Sequence, residues 1–337
     1  MPGLRPLGVG MLLAIATLAT AADRSQPHPV PPAVALPAIE VPAPAAIASA
    51  PPLPLLWKVS DDDNAIYLLG SFHLLKPGDY PVSPDIDAVF DIADRVVFEV
   101  TPEQLADPAN SQRFLAAAGY GDERTLSTVL PARLSTKLGA LMGSRGGSIA
   151  LLEGYEPWFV NLSLVLGLAQ SMGFSADHGL DRHLMTRAAA AGKPTAGLES
   201  MEVQLRALDA SPMREQIVGL ADFLDRPDEM PAMIDDLHQA WRTADIARLD
   251  AMTRAEMRER TPETYRVVNV ERNDAWMPKL RAMLDDDRVD TLVVVGALHL
   301  LGDDGVVERL RAAGLQVERI CSACDAAPVA TQAPAAH

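Results

Sequence analysis

The chain has 337 residues, of which 48% are hydrophobic, so it is long enough to bury a sizeable core. Its formal net charge of -16 argues against a nucleic-acid partner, because nucleic-acid binding needs a basic surface. The same negative charge disfavours binding to anionic membrane surfaces.

Residues 1–22 have the features of a secretory signal. Arg5 supplies the positive start, residues 9–18 form a short apolar core, and small residues at 19–22 offer cleavage sites. The apolar core is too short to span a bilayer comfortably. We therefore expect a periplasmic or secreted protein that contacts a membrane only if the signal stays uncleaved.

Residues 23–54 are rich in Pro and Ala, a composition that predicts a disordered linker. The folded domain is expected to cover residues 55–320, and residues 321–337 are expected to form a flexible tail. Cys321 and Cys324 are the two cysteines of the chain. In an exported protein a local disulfide is the default, with a free pair as the alternative, and redox catalysis is disfavoured because no helix follows them.

The domain begins with a predicted hairpin, in which residues 56–59 and 65–69 are strands joined by a polar turn. The second strand runs into Gly70-Ser-Phe-His73. Ser83 followed by Pro is typical of a helix start. The next strand, residues 95–100, carries Glu99 near its carboxyl end. The strand at 65–69, the helix after Ser83 and this strand together make a βαβ unit.

Residues 103–290 are mostly helical in pattern. An apolar segment at 157–172 predicts a buried helix, and residues 195–199 predict a short strand. The other predicted helices cover residues 131–141, from 179 to about 191, 203–208, 213–224, 230–243, 246–258 and 265–284.

The end of the chain returns to strand and helix. Residues 291–295 form a β-branched, apolar run typical of a strand covered on both faces, and Gly296-Ala-Leu-His299 follows it directly. A helix from Val306 and a last strand at 315–320 complete a second βαβ-type unit. We predict an α/β fold in which the N- and C-terminal units pair into one mixed sheet, with a largely helical middle region inserted between them.

The two Gly-x-x-His sequences and Glu99 each follow a predicted strand, and ligands of open α/β sheets bind at the carboxyl ends of strands. His73, His299 and Glu99 match the ligand set of catalytic metal sites, in which three protein ligands leave one position open. The nitrogen and oxygen donors suit zinc, manganese or ferrous iron, and the sequence does not choose among them. Taken alone, a His after a strand is more often an ordinary loop residue than a ligand, and Glu99 alone fits an exposed strand end.

Other polar residues carry weaker signals. Glu199 is either a further ligand or base, or an acid at a helix start. Asp181 and His183 lie at a helix start, where Asp caps by default. Trp158 is interpreted as a core residue. Ser71 does not fit the spacing of a nucleophile elbow, which disfavours a serine hydrolase.

Taken together, the motifs resemble the TraB/GumN family, to which the TIKI metalloproteases are related. The matching segments are 68–73 (LLGSFH), 96–99 (VVFE), 156–158 (EPW), 179–184 (GLDRHL), 197–200 (GLES), 271–276 (ERNDAW) and 294–302 (VVGALHLLG). The resemblance implies a peptidase-like site dependent on a divalent metal. It places His73, His299 and Glu99 at the metal, with Glu99, Arg272 and Asn273 as catalytic polar groups.

We therefore expect an exported metal-dependent hydrolase, a peptidase that uses a metal-bound water against a peptide or protein substrate. The alternative is a non-catalytic periplasmic binding protein that supports polysaccharide export.

Overall fold

A computed structural model of the protein describes residues 50–285 and 288–324. The predicted signal, residues 23–49 of the predicted linker and residues 325–337 of the predicted tail lie outside this part. Among the described residues, no helix combines the length and apolar character needed to cross a membrane.

A six-stranded mixed sheet organises the domain. Its strands, in the order found across the sheet, are β4 (Thr195–Gly197), β3 (Arg95–Phe98), β5 (Thr291–Gly296), β2 (Ala65–Ser71), β1 (Leu56–Ser60) and β6 (Gln316–Ile320). The four strands from β4 to β2 run parallel, whereas β1 pairs antiparallel with both β2 and β6. This confirms the predicted sheet that combines both ends of the chain.

The pairing of β2 with β5 lies at the centre of the sheet. Both strands are buried along their whole length, as expected for apolar strands covered on two faces. Gly70 pairs with Val295 and Ser71 with Gly296, so the two Gly-x-x-His sequences leave the sheet side by side. Strand β5 also separates β2 from β3, so the C-terminal segment completes the N-terminal βαβ unit.

Helices make up most of the chain between β3 and β5, as predicted. The α-helices of the domain are α1 (Pro84–Ile92), α2 (Pro102–Leu105), α3 (Asn110–Ala118), α4 (Leu126–Val129), α5 (Ala132–Ser144), α6 (Pro157–Ser171), α7 (Leu180–Ala191), α8 (Met201–Asp209), α9 (Met213–Asp225), α10 (Met230–Arg242), α11 (Ile246–Asp250), α12 (Glu256–Arg260), α13 (Pro262–Tyr265), α14 (Glu271–Asp285) and α15 (Val306–Ala312). Ser83 caps α1 as predicted, since its side chain accepts from the Asp85 backbone N–H.

Two helices predicted as continuous are interrupted by wider π turns. One turn, Ala251–Ala255, separates α11 from α12, and the other, Arg266–Val270, precedes α14. In the first turn the Thr253 hydroxyl bonds the Leu249 carbonyl at 2.6 Å, a contact that competes with the helical ladder. Because a π turn changes the helical period only locally, the apolar pattern does not reveal it.

The packed chain begins slightly before the predicted start at Leu55. Pro52 and Pro54 are buried, and the Leu53 N–H donates to the Arg242 carbonyl at 2.8 Å. At the other end, Cys321 and Cys324 form a local disulfide, the first of the two alternatives that the sequence leaves open.

Candidate active site

Three side chains predicted to act together lie at the carboxyl ends of neighbouring strands. His73 follows β2, Glu99 follows β3 directly, and His299 lies in a short 3₁₀ turn, Ala297–Leu300, after β5. All three are buried, with exposures of 3%, 2% and 0%. Although it follows the end of a strand, His299 belongs to the core and not to an exposed loop, because its ring packs against Trp276 with a centroid separation of 4.5 Å.

The orientation of His73 is fixed from the first turn of α7. The Asp181 Oδ2 atom lies 2.7 Å from His73 Nδ1, and the Ser71 hydroxyl donates to Asp181 Oδ1 at 2.7 Å. Burial lowers the pKa of His73, but the Asp181 carboxylate outweighs it and leaves this pKa above its usual value. His73 Nε2 is buried and has no hydrogen-bond partner within residues 50–285 and 288–324.

His299 is held in a comparable way by Asn273. The Asn273 amide nitrogen donates to the carbonyls of His299 and Asp304, which leaves Asn273 Oδ1 to accept from His299 Nδ1 at 2.8 Å. The proton of the ring is thus on Nδ1, and Nε2 accepts from Arg272 Nη1 at 3.1 Å. Burial, then Arg272 and His73, hold the pKa of His299 well below its usual value, so the ring is neutral.

Glu99 connects the strand ends to the helical region. Its Oε1 accepts from the Gly296 N–H at 2.7 Å, and its Oε2 accepts from Arg272 Nη2 at 2.6 Å and from Gln204 Nε2 at 2.9 Å. His299 Nε2 lies 3.9 Å from Glu99 Oε1. Burial raises the pKa of Glu99, partly offset by the charges of Arg272 and His73.

Arg272 lies between two buried carboxylates at the start of α14. Besides Glu99, its guanidinium binds Glu199 through Nε at 2.9 Å and through Nη2 at 2.5 Å. The Trp276 indole N–H donates to the other Glu199 oxygen at 3.0 Å. The preceding π turn contributes too, since the Val268 carbonyl accepts from Arg272 Nη1 at 3.0 Å. Glu199 is thus the partner of Arg272 and Trp276.

Hydrogen bonds and short contacts connect four of the five predicted site residues, Glu99, Arg272, Asn273 and His299. His73 is near enough for its charge to change the pKa of Glu99. His183 lies apart and packs on Tyr80 with a ring separation of 4.7 Å. Trp158 belongs to a separate hydrophobic cluster, as expected for a core residue.

Asp181 and Gln204 are two residues of the site whose roles the sequence does not reveal. At a helix start Asp181 is a cap by default, whereas in the structure its carboxylate binds His73. Gln204, which is 4% exposed, donates to Glu99 from α8. Both residues lie in or next to segments that carry the family resemblance outside the histidine motifs. Asp181 belongs to GLDRHL at 179–184, and Gln204 follows GLES at 197–200.

The two histidines of this site share some features with metal-binding histidines. Each imidazole is anchored through Nδ1, as metal-binding histidines are, and His299 is in the neutral form that binds metals. The buried Nε2 of His73 has no hydrogen-bond partner among the described residues, so this atom would be available to a metal ion once it loses its proton. In this arrangement Arg272 engages both His299 and Glu99, and no group of three or more His, Cys, Asp or Glu within the described ranges is placed to hold a metal ion.

Comparison with known proteins agrees with this architecture. The sequence profile of the TraB/PrgY/gumN family matches residues 55–319, so the chain belongs to this family. A 179-residue match to "Uncharacterized protein YbaP" of Escherichia coli (strain K12) is 30% identical and covers 49% of this chain and 60% of that protein. A 166-residue match to an "Uncharacterized protein" of Treponema pallidum (strain Nichols) is 22% identical and covers 49% of each chain. The matches thus span about half to three-fifths of these relatives.

Proposed function

We propose that the chain is a metal-dependent hydrolase acting on peptide or protein substrates. The observation that carries the proposal is the pair of buried imidazoles at adjacent strand ends, each fixed through Nδ1 by a separate side chain. Such fixation sets the tautomer and orientation of a metal ligand, and it is typical of catalytic metal sites. Family membership supports the fold of this site, and the reaction is our own inference.

In the proposed site, His73 and His299 bind a divalent ion, manganese or zinc, through Nε2. Bound there, the ion would polarise a carbonyl group and increase the nucleophilicity of water. Asp181 and Asn273 hold the two rings in place. Glu99 serves as the third ligand or as the group that accepts a proton, because its carboxylate lies between Arg272 and His299.

Arg272 has a separate role in this proposal. Its guanidinium remains bound to Glu199 and to the Val268 carbonyl through contacts that do not involve the histidines. A cation fixed in this manner stabilises negative charge that develops on a carbonyl oxygen in the transition state. The fixed fork of Arg272 is thus expected to matter for turnover more than for metal affinity.

The test measures the metal content of the purified protein, before and after reconstitution with manganese or zinc, and then cleavage of a peptide library. We expect about one metal per chain, and we expect its loss in His73→Ala. His178→Ala is the matched control, because this half-buried histidine lies in a 3₁₀ turn before α7 and outside the network of Arg272. Protein that stays metal-free after reconstitution would contradict the proposal and favour the alternative, a binding protein that supports polysaccharide export.

The place of action is also a proposal. The features of residues 1–22 support action in the periplasm or outside the cell. Fractionation of cells that express the chain with a C-terminal tag tests this, and a tagged product confined to the cytoplasm would contradict it.

A further inference from the structure

The buried guanidinium of Arg272 binds two of the side chains that the proposed function assigns to a metal ion. Its Nη1 donates to His299 Nε2 at 3.1 Å, and its Nη2 donates to Glu99 Oε2 at 2.6 Å. All three residues are at most 4% exposed, so these contacts lie away from solvent. Because an arginine stays protonated in proteins, the chain itself supplies a cation at this point.

The contact with His299 uses the ring atom that a metal ion needs. The Nδ1 atom of His299 carries the proton and donates to Asn273 Oδ1 at 2.8 Å. Nε2 therefore holds the lone pair of the ring, and this lone pair accepts from Arg272 Nη1. One lone pair cannot accept a hydrogen bond and bind a metal ion at the same time. The contact with Arg272 and a metal bond at His299 thus exclude each other.

The spacing of the two acceptors fits one shared ion. His299 Nε2 lies 3.9 Å from Glu99 Oε1. Nitrogen and oxygen ligands lie about 2.0–2.2 Å from a zinc ion, so two ligands of one ion are at most about 4.4 Å apart. The two side chains can therefore bind one ion without a movement of the strand ends, provided that the guanidinium of Arg272 withdraws.

Arg272 has a second set of contacts that keeps it in place when these two are broken. Its Nε and Nη2 donate to Glu199 Oε1 at 2.9 and 2.5 Å, and its Nη1 donates to the Val268 carbonyl at 3.0 Å. Glu199 is thus a charged partner on the side of the guanidinium away from the histidines. A small shift toward Glu199 frees His299 and Glu99 and leaves the guanidinium paired with a carboxylate.

We propose that Arg272 is a built-in competitor of the metal ion, which closes the site through His299 Nε2 and Glu99 and yields both contacts when a divalent ion binds. This inference rests on the proposed function, because it concerns the ion assigned to that site. Glu199 is the carboxylate that retains the displaced guanidinium. The positive charge of Arg272 then limits metal affinity, whereas the planar shape of its fork serves turnover.

The experiment measures zinc binding to the full chain by titration calorimetry, together with the thermal midpoint with and without zinc. We expect Arg272→Gln to bind zinc about 10-fold more tightly or better, since a hydrogen bond to a charged group no longer has to be broken. Zinc should also raise the midpoint of this variant more than that of the wild-type protein, because the ion supplies the positive charge that Glu99 and Glu199 have lost. Arg281→Gln, an exposed change on α14, is the matched control and should behave like the wild-type protein.

Zinc that binds Arg272→Gln no more tightly than the wild-type protein would overturn this inference and leave the proposed function standing. Zinc binding to none of the three proteins would overturn both. Crystals of the wild-type protein grown with zinc give a second test, which does not depend on the folding of the variant. We expect zinc on His299 Nε2, with Arg272 still bonded to Glu199 but no longer to His299. Zinc bound at the site beside an intact hydrogen bond from Arg272 to His299 would also overturn the inference.

Discussion

The Nδ1 atom of His73 lies 2.7 Å from Oδ2 of Asp181, although 108 residues separate the two in the chain. The same carboxylate accepts from the Ser71 hydroxyl, so the helix start at α7 holds both ends of the Ser71–His73 turn. Gly179 makes this approach possible, because a Cβ atom at this position would overlap the His73 carbonyl. His73 follows strand β2, and Asp181 at the start of α7 fixes the orientation of its ring.

Asp181→Asn removes the negative charge that orients His73. We expect metal affinity to fall by about 10–100-fold, the usual effect of losing an outer partner of a metal-binding histidine. Calorimetric titration of manganese or zinc measures this change. Asp177→Asn is the matched control, because Asp177 is exposed and lies just before α7. Equal affinities for the Asp181→Asn variant and the wild-type protein would show that Asp181 does not support a metal ligand.

His299→Ala tests both the site and the core. Removing this fully buried ring leaves a cavity beside Trp276 and deprives Asn273 Oδ1 of its donor. We expect the free energy of unfolding to fall by about 2–4 kcal/mol. His299→Gln, which keeps a polar side chain, should lose less stability than the Ala variant. Denaturant unfolding and elemental analysis on the same samples separate the two effects. Full metal occupancy in both variants would remove His299 from the proposed metal site.

Arg272→Lys keeps the positive charge and loses the planar fork that serves Glu99, Glu199 and Val268. We expect metal stoichiometry to be retained and peptide cleavage to fall by about 10–100-fold, since one fixed donor at a developing charge contributes on that scale. Arg281→Lys, an exposed change on the same helix, is the control. Unchanged cleavage by the Arg272→Lys variant would exclude a role for the fork in turnover.

The stability of the protein should depend on pH through Glu256. Its pKa is about 7 in the folded state and 4.5 as the ordinary value, so the folded state retains a proton that the unfolded state releases between these values. Stability then falls as pH rises from about 4.5 to about 7, because the folded state binds more protons. The fall should be smaller in Glu256→Gln. Denaturant unfolding across this range measures it, and parallel curves for both proteins would contradict the prediction.

The start of the folded domain is a further point to test. A chain that begins at Ala50 keeps the hydrogen bond from Leu53 to the Arg242 carbonyl and the buried Pro52 and Pro54. A chain that begins at Leu55 loses them, and we expect a loss of about 1–3 kcal/mol in the free energy of unfolding. Equal thermal midpoints for the two chains would place the boundary at Leu55, as the composition alone suggests.

The sheet was predictable because its signals are local. The β-branched run at 291–295 and the two apolar runs on either side of the polar turn at 61–64 each identify a strand, and the two Gly-x-x-His sequences mark where β2 and β5 end. These patterns do not give the order of the strands across the sheet. That β5 lies between β2 and β3 depends on contacts between distant segments, which no local pattern encodes.

The candidate site was predictable only in part for the same reason. The histidines and Glu99 stand out because they follow strands, whereas Asp181, Glu199 and Gln204 look like ordinary residues at helix starts or in helices. Their roles come from the packing of α7 and α8 against the strand ends. The two π turns are also absent from the apolar pattern, although one of them supplies a carbonyl to Arg272.

The parallel pairing of β2 with β5 has a consequence for the order of synthesis. Residues 66–71 leave the ribosome early, and their partners at 291–296 leave it only after the whole helical middle has been made. Until then β2 can pair only with β1, and His299 is not yet available to lie beside His73. A nascent or truncated chain therefore cannot assemble the paired histidines, and the proposed activity would switch on only when translation is nearly complete.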